Sequence, residues 1–205
     1  ADFKNGYAGS YFGIAWMFLQ PLATVLVYFC VFQLGFKSTP PVDYPYVLWL
    51  IPGIVPWFFF SEVLNGGTNC LQEYNYLVKK MAFQIEMLPI IKMLSCFMVH
   101  AIFLVIMIVV FLCYGIAPRI SWIQILYYSF ACSMLSLALT YFTSAINVFF
   151  KDMAQIVGIL LQFGMWLVPI MWAPEMLPGA PARLTPVLKL YPFYYIVAGY
   201  RDSML

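Results

Sequence analysis

The stretch MLSCFMVHAIFLVIMIVVFLCY, from Met93 to Tyr114, runs for 22 residues without a charge. As a helix rising ~1.5 Å per residue it crosses the ~30 Å hydrocarbon core of a bilayer. Working outward, comparable runs lie on both sides: Ile14 to about Phe36, Tyr46 to about Leu64, Trp122 to Val148 and Met153 to Trp172. Charged residues make up 9% of the 205, where a soluble domain carries roughly 25%. Mean hydropathy is +0.90. Lipid is the solvent that fits this composition. The chain therefore reads as all-α, a polytopic integral membrane protein whose residues 1–205 form one transmembrane domain with five spans. A soluble domain, a disordered chain and a coiled coil are excluded. The net charge of +2, with no Lys/Arg cluster larger than Lys79-Lys80, argues against a nucleic-acid partner.

The second run carries Pro52, Gly53 and Pro56. These predict a kinked or partly unwound helix facing protein or a cavity, because lipid cannot satisfy freed backbone groups. The segment NGGTN, Asn65 to Asn69, is expected to end it. From Leu71 to Leu88 the pattern turns amphipathic. Leu71, Tyr74, Leu77, Val78, Met81, Ile85 and Leu88 share one helical face, while Glu73, Asn75, Lys79, Lys80 and Glu86 lie largely opposite. This predicts a helix on the membrane surface, started by Asn69 and Gln72 in a variant capping box and ended or bent by Pro89.

Beyond Trp172, Glu175 to Leu205 holds Pro178, Pro181, Pro186 and Pro192 among short apolar pieces, which predicts short re-entrant helices dipping into one leaflet. Alternate loops divide the basic residues evenly. Lys4, Lys79, Lys80, Lys92 and Lys151 fall on one side, and Lys37, Arg119, Arg183, Lys189 and Arg201 on the other. The longest polar loop places the Lys79-Lys80 side in the cytoplasm.

Ionisable groups inside a membrane are the first place to look for chemistry, and few are present. Glu62 is expected near the end of the second span, reaching the interface. His100, the only histidine, fits a ring hydrogen-bonded to a neighbouring helix better than a proton carrier or a metal ligand. That scarcity disfavours an ion-coupled transporter. An intramembrane enzyme acting on a lipid-linked sugar would need a nucleophile with an oriented base. Ser129, Ser133 and Ser136 fit helix packing better. The five cysteines show no C-x-x-C spacing and read as small buried hydrophobes. No G-x-x-x-x-G-K-[ST] loop occurs, so ATP, if used, is bound by another subunit.

What the chain has in excess is aromatic: 19 Phe, 15 Tyr and 6 Trp. An interfacial belt accounts for Trp49, Trp122 and Tyr127. Aromatic faces also offer a weakly polar surface to sugar rings, with hydroxyls from Tyr. Trp57, Phe58 and Phe60, beside the proline-broken segment, together with Trp16 and Tyr28, are candidates for such a lining. Lipid-facing packing competes equally for any one of them.

Five motifs in order resemble the membrane subunits of bacterial ABC exporters of cell-surface polysaccharides: O-antigen, capsule and teichoic acid. Tyr7 to Trp16 with Gln20-Pro21 is similar to the entry to the first span of that family, with Phe12 in place of the usual Leu. Asn75 to Lys80, Phe83 and Leu88-Pro89 resemble the cytoplasmic connector, with Gln84 where a proline is common. Asn147 to Gln155 resembles the turn before the fifth span, with Lys151 for Arg. Val168-Pro-Ile170, Glu175 and Leu177-Pro178, then Tyr191 to Val197 and Tyr200-Arg201-Asp202, resemble the external gate region, with Tyr191 for a common Asn.

The resemblance implies a permease exporting a lipid-linked O-antigen or similar polysaccharide across the bacterial cytoplasmic (inner) membrane. ATP and Mg would be bound by a separate cytoplasmic ABC ATPase, with no cofactor in this chain. It further implies a homodimer of six-span subunits among membrane lipids, a sixth span following Leu205, and an interfacial helix before the first span. Teichoic-acid export is the alternative within the family. On this reading Glu73, Asn75, Lys79 and Lys80 face the ATPase, and Tyr191, Phe193, Tyr194, Tyr195 and Arg201 form an external gate.

Overall fold

The computed structural model describes residues 16–31, 44–73, 85–172 and 186–205. Within them the chain forms α1 (Trp16–Tyr28), α2 (Tyr46–Glu73), α3 (Met87–Cys113), a 3-10 turn (Ile120–Ile123), α4 (Gln124–Phe149), α5 (Met153–Leu167) and α6 (Pro192–Met204). The all-helical class holds, with no strand among the described residues. α2, α3 and the continuous Ile120–Phe149 segment are long and apolar enough to cross a membrane. The stretches Pro21–Val31 and Met153–Leu167 are apolar but shorter.

α2 is the axis of the bundle. Its apolar window is 72% buried, against 33% for each of the other two long helices, so the other helices are arranged around it and turn their outer faces to lipid. The predicted burial of the proline-bearing span is therefore found, and Pro52, Gly53 and Pro56 are themselves buried. The predicted unwinding is not: the helix runs unbroken through both prolines.

The end of that span also differs. NGGTN does not terminate α2, which continues to Glu73 and takes up Leu71, Gln72 and Glu73. Two glycines cost a helix about 1 kcal/mol each relative to alanine, and packing against α4 outweighs this. A Cβ on Gly67 would collide with the Thr140 side chain, so only glycine lets the two helices approach this closely. The hydroxyls of Thr68 and Thr143 meet at 2.8 Å. Asn147 Nδ2 donates to Thr68 O at 2.9 Å and to Asn69 Oδ1 at 3.3 Å, and Gln72 Nε2 donates to Asn147 O at 2.6 Å. Asn69 and Gln72, expected to start a surface helix, instead join this seam inside α2.

The surface helix itself falls on residues 74–84, outside the described residues. At its far end, Met87 and Leu88 belong to α3, and Pro89 sits in the first turn of α3, where its missing N–H costs nothing. The third span thus begins six residues before the expected Met93. The fifth is shorter than expected. α5 stops at Leu167 because Val168, preceding Pro169, is driven to an extended conformation (φ −73°, ψ 133°).

The helices divide the bundle into two ends. Gly66 of α2 lies against the Lys92 side chain of α3, and Tyr141 of α4 donates to Glu86 O at 2.7 Å, so Glu73, Met87 and Phe149 share one end. Tyr46, the turn after Cys113 and the C-terminus of α6 share the other, where Arg119 Nη1 donates to Leu205 O at 3.1 Å. Lys92 and Lys151 stand toward the first end and Arg119 and Arg201 toward the second, the same division that the loops gave.

Candidate functional site

α6 has 13 residues, about 20 Å of helix and too short to span. It is fixed at both ends. At the C-terminal end Ser121 Oγ donates to Ser203 O at 2.9 Å. At the N-terminal end Phe193 packs against Trp57 (centroids 5.1 Å apart) and Phe60 (4.7 Å) of α2. These lie eight and eleven residues beyond Trp49, which contacts Arg201, so α6 enters the bundle about 12–16 Å deep. Of the short re-entrant helices expected over Glu175 to Leu205, α6 is present as a short helix, and residues 173–185 lie outside the described residues.

This geometry joins residues that the sequence had placed in two groups. Trp57 and Phe60, candidates for a cargo lining, and Phe193, a candidate for the gate, form one aromatic cluster, each 3% exposed or less. Glycine shapes it. A Cβ on Gly164 of α5 would stand 2.9 Å from Trp57 Cη2 and 3.5 Å from the Tyr191 hydroxyl. A Cβ on Gly199 would enter the Tyr128 ring. Tyr191 and Tyr194 are half-buried, while Tyr195 is exposed and meets Tyr194 edge to face at 5.6 Å. Phe58 is half-buried against Phe103 (6.4 Å). Tyr28 donates to Met165 Sδ at 3.5 Å, linking α1 to α5. Trp16 opens α1, and its side chain lies outside the described residues.

Arg201 forms the second feature. Its guanidinium lies 3.6 Å over the Trp49 ring and donates to Pro169 O at 2.7 Å, Ile170 O at 2.6 Å and Trp49 O at 3.3 Å. Gly53 makes room for it, since a Cβ there would come within 2.9 Å of Nη2. Tyr46 donates to Met171 O at 2.7 Å, and Trp172 Nε1 to Trp166 O at 2.8 Å. Val168 to Met171 are buried and non-helical, a state that an apolar interior tolerates only when its carbonyls find donors. Arg201 and Tyr46 are those donors. Arg201 is thus engaged by protein carbonyls, and Trp49, 3% exposed, is its platform rather than part of a lipid belt. Trp122 is half-buried against Phe111 (6.2 Å), whereas Tyr127, 68% exposed, fits the belt.

The third feature is polar. The Tyr200 hydroxyl lies 2.6 Å from Ser129 Oγ and 3.0 Å from His100 Nε2. Phe59 stacks on the imidazole at 4.6 Å. The histidine is hydrogen-bonded to a neighbouring helix, as its isolation implied. Tyrosine separates serine from histidine, so the three do not form a nucleophile–base pair. No group of three His, Cys, Asp or Glu close enough to hold a metal occurs among the described residues. Ser133 and Ser136 are buried packing residues bonded to their own helix. Cys70, Cys96 and Cys132 are buried, but Cys30 and Cys113 are exposed.

Of the residues placed at the ATPase face, Glu73 ends α2 and is exposed; Asn75, Lys79 and Lys80 lie outside the described residues. Sequence reading missed Tyr46, Gly164 and Gly199, and took Gly53 only as a helix breaker rather than as room for Arg201. Lone glycines in apolar helices were the available signal.

The chain is similar to known proteins along its whole length. It is 29% identical over 202 residues to the O-antigen export system permease protein RfbA of Myxococcus xanthus, covering 98% of this chain and 75% of that one. Two O-antigen export system permease proteins RfbA of Klebsiella pneumoniae are 27% and 26% identical, covering 100% of this chain and 77% of each. The model of the ABC-2 type transporter family matches residues 1–205. A helical membrane bundle with a re-entrant helix packed on its central span, matched from end to end, belongs to the ABC-2 type transporter family.

Proposed function

We propose that this chain is the permease subunit of an ATP-driven exporter of a lipid-linked, O-antigen-like polysaccharide across the bacterial inner membrane. The observation that carries the reading is the similarity, along 98–100% of this chain and 75–77% of theirs, to three O-antigen export permeases. ATP hydrolysis belongs to a partner ABC ATPase docked at the Glu73 end, where Glu73, Asn75, Lys79 and Lys80 supply polar groups. The permease works as a homodimer with that end in the cytoplasm. α6 closes the outer end: Tyr191, Phe193, Tyr194 and Tyr195 fill the closed gap, and Arg201 anchors the helix to the segment after α5. Trp57, Phe58 and Phe60, with Trp16 and Tyr28, meet the sugar once α6 moves away.

Deletion of the chain in its host tests this. Surface polysaccharide is lost and its lipid-linked precursor accumulates on the cytoplasmic side, and the tagged chain co-purifies with an ABC ATPase. Normal surface polysaccharide in the deletion strain contradicts the proposal.

A further inference from the structure

One hydroxyl of α6 knots three helices together. Tyr200, fully buried, places its oxygen 2.6 Å from Ser129 Oγ of α4 and 3.0 Å from His100 Nε2 of α3. The neighbouring Arg201 is bonded elsewhere, to the carbonyls of Pro169, Ile170 and Trp49. Arg201 therefore makes one unit of α6 and the segment after α5, whereas Tyr200 ties that unit to α3 and α4. Ser121, just before α4, adds a bond to Ser203 O at 2.9 Å.

The knot is left incomplete at His100. Its Nδ1 is buried with no hydrogen-bond partner among the described residues. Whichever way the hydrogens run between Ser129, Tyr200 and His100, Nδ1 stays unpaired, as an N–H or as a lone pair. The rings against the imidazole, Phe59 at 4.6 Å and Phe97 at 6.0 Å, offer it nothing polar. Tautomer and orientation of a histidine are set by the bond that its second nitrogen makes. Without that bond, the ring can turn and change tautomer while losing no hydrogen bond but the one to Tyr200. Ser129 faces the same oxygen from α4, so its hydroxyl lies within a side-chain rotation of the imidazole. The other hydroxyls along that face of α4 are committed to their own helix: Ser133 donates to Ser129 O at 2.8 Å and Ser136 to Cys132 O at 2.7 Å.

We propose that His100 and Ser129 are positioning residues of the gate, bonded to Tyr200 when α6 is docked and to each other when it is released. This rests on the export reading above, in which α6 moves, and adds the device that makes the movement reversible. Release gives up the two hydrogen bonds of the Tyr200 hydroxyl, which passes to water, and regains one between Ser129 and His100. Neither residue is abandoned as an unpaired polar group in an apolar interior, the outcome that would make release prohibitive. The gate is poised rather than locked. Tyr200 counts only in the docked state, whereas Ser129 counts once in each.

The test uses the full permease–ATPase complex in lipid vesicles, depleted of native cysteine, with Val197→Cys on the buried face of α6 as reporter. A charged, membrane-impermeant thiol reagent is added on the side opposite the ATPase. Labelling is expected to be slow at rest and faster during export. Tyr200→Phe should speed resting labelling roughly three- to twentyfold, the factors that polar contacts between membrane helices carry. Ser129→Ala should leave it within about twofold, because it removes one bond from each state. Equal acceleration by the two variants, as static packing would give, or none by Tyr200→Phe, overturns the exchange. In a parallel complex that keeps only native Cys70, buried near the Glu73 end of α2, the reagent is expected not to react in either variant. Cys70 reacting in step with position 197 would mean loosening of the whole bundle and overturns the exchange too. An unreactive position 197 in a complex that exports overturns the release of α6 and leaves the export reading standing. Absence of export by the unsubstituted complex removes both.

Discussion

Phe193 sets its ring edge-on to Trp57, with centroids 5.1 Å apart and planes at 85°, and so ties the deep end of α6 to the middle of α2. Water drives little of this contact, because lipid is as apolar as the core, and packing, interhelical hydrogen bonds and lipid entropy hold the helices together. Aromatic geometry therefore matters more here than buried area does.

Trp57→Ala, Phe193→Ala and the double variant should show coupling of about 0.5–1.5 kcal/mol in detergent-solubilised protein, the range for aromatic pairs. Each single variant should reduce export more than abundance. Additive effects, or export and abundance falling together, would return the pair to ordinary packing.

Arg201→Lys is expected to behave as a severe change although it keeps the charge. A lysine cannot reach Pro169 O, Ile170 O and Trp49 O from one planar group or stack on Trp49 in the same way. Losing one such charge-assisted bond costs about 1.5–3 kcal/mol. Thermal unfolding should show a clear drop for Arg201→Lys and for Gly53→Ala, which crowds the guanidinium. An unchanged midpoint in both would mean that the 168–171 segment needs no clamp.

Gly67→Ala should destabilise the α2–α4 contact by about 1–3 kcal/mol, the usual range for overpacking. Because the collision is chiefly with the Thr140 methyl, Thr140→Ser should recover part of the loss. A tolerated Gly67→Ala, or no recovery in the double variant, would show that the helices are not in the contact described.

Tyr200→Phe removes the hydroxyl shared by Ser129 and His100. Polar pairs between membrane helices average about 0.6 kcal/mol and reach about 1.7, so a modest drop in thermal stability is expected with ATPase assembly intact. Abolished assembly would point to a role beyond packing.

Charge reversal at Lys79 and Lys80 should lower polysaccharide-stimulated ATP turnover while membrane insertion persists. Unchanged turnover and unchanged ATPase binding would exclude these residues from the coupling face.

The membrane class, the span order and the re-entrant C-terminal helix were legible because each follows from the length and continuity of apolar runs, read one segment at a time. The continuation of α2 through NGGTN was not. In water, two glycines and two asparagines together read as a turn. Here the partners Thr140, Thr143 and Asn147 come from a helix some 75 residues away, and only tertiary contact reverses the local preference. The clamp made by Arg201 was hidden for a related reason: the carbonyls of Pro169 and Ile170 that need its donors lie 32 and 31 residues away in the chain. Trp57 and Phe193 were each singled out as functional candidates, yet nothing in one chain's spacing reveals that they touch.

Transport in vesicles containing only this chain and its ABC ATPase tests the central claim most directly. Lipid-linked polysaccharide is supplied on the ATPase side, and its appearance on the other side is followed with an impermeant glycosidase. Transfer that requires ATP, both proteins and an unsubstituted α6 is the predicted result. ATP hydrolysis with no polymer crossing, or transfer without the permease, would contradict it.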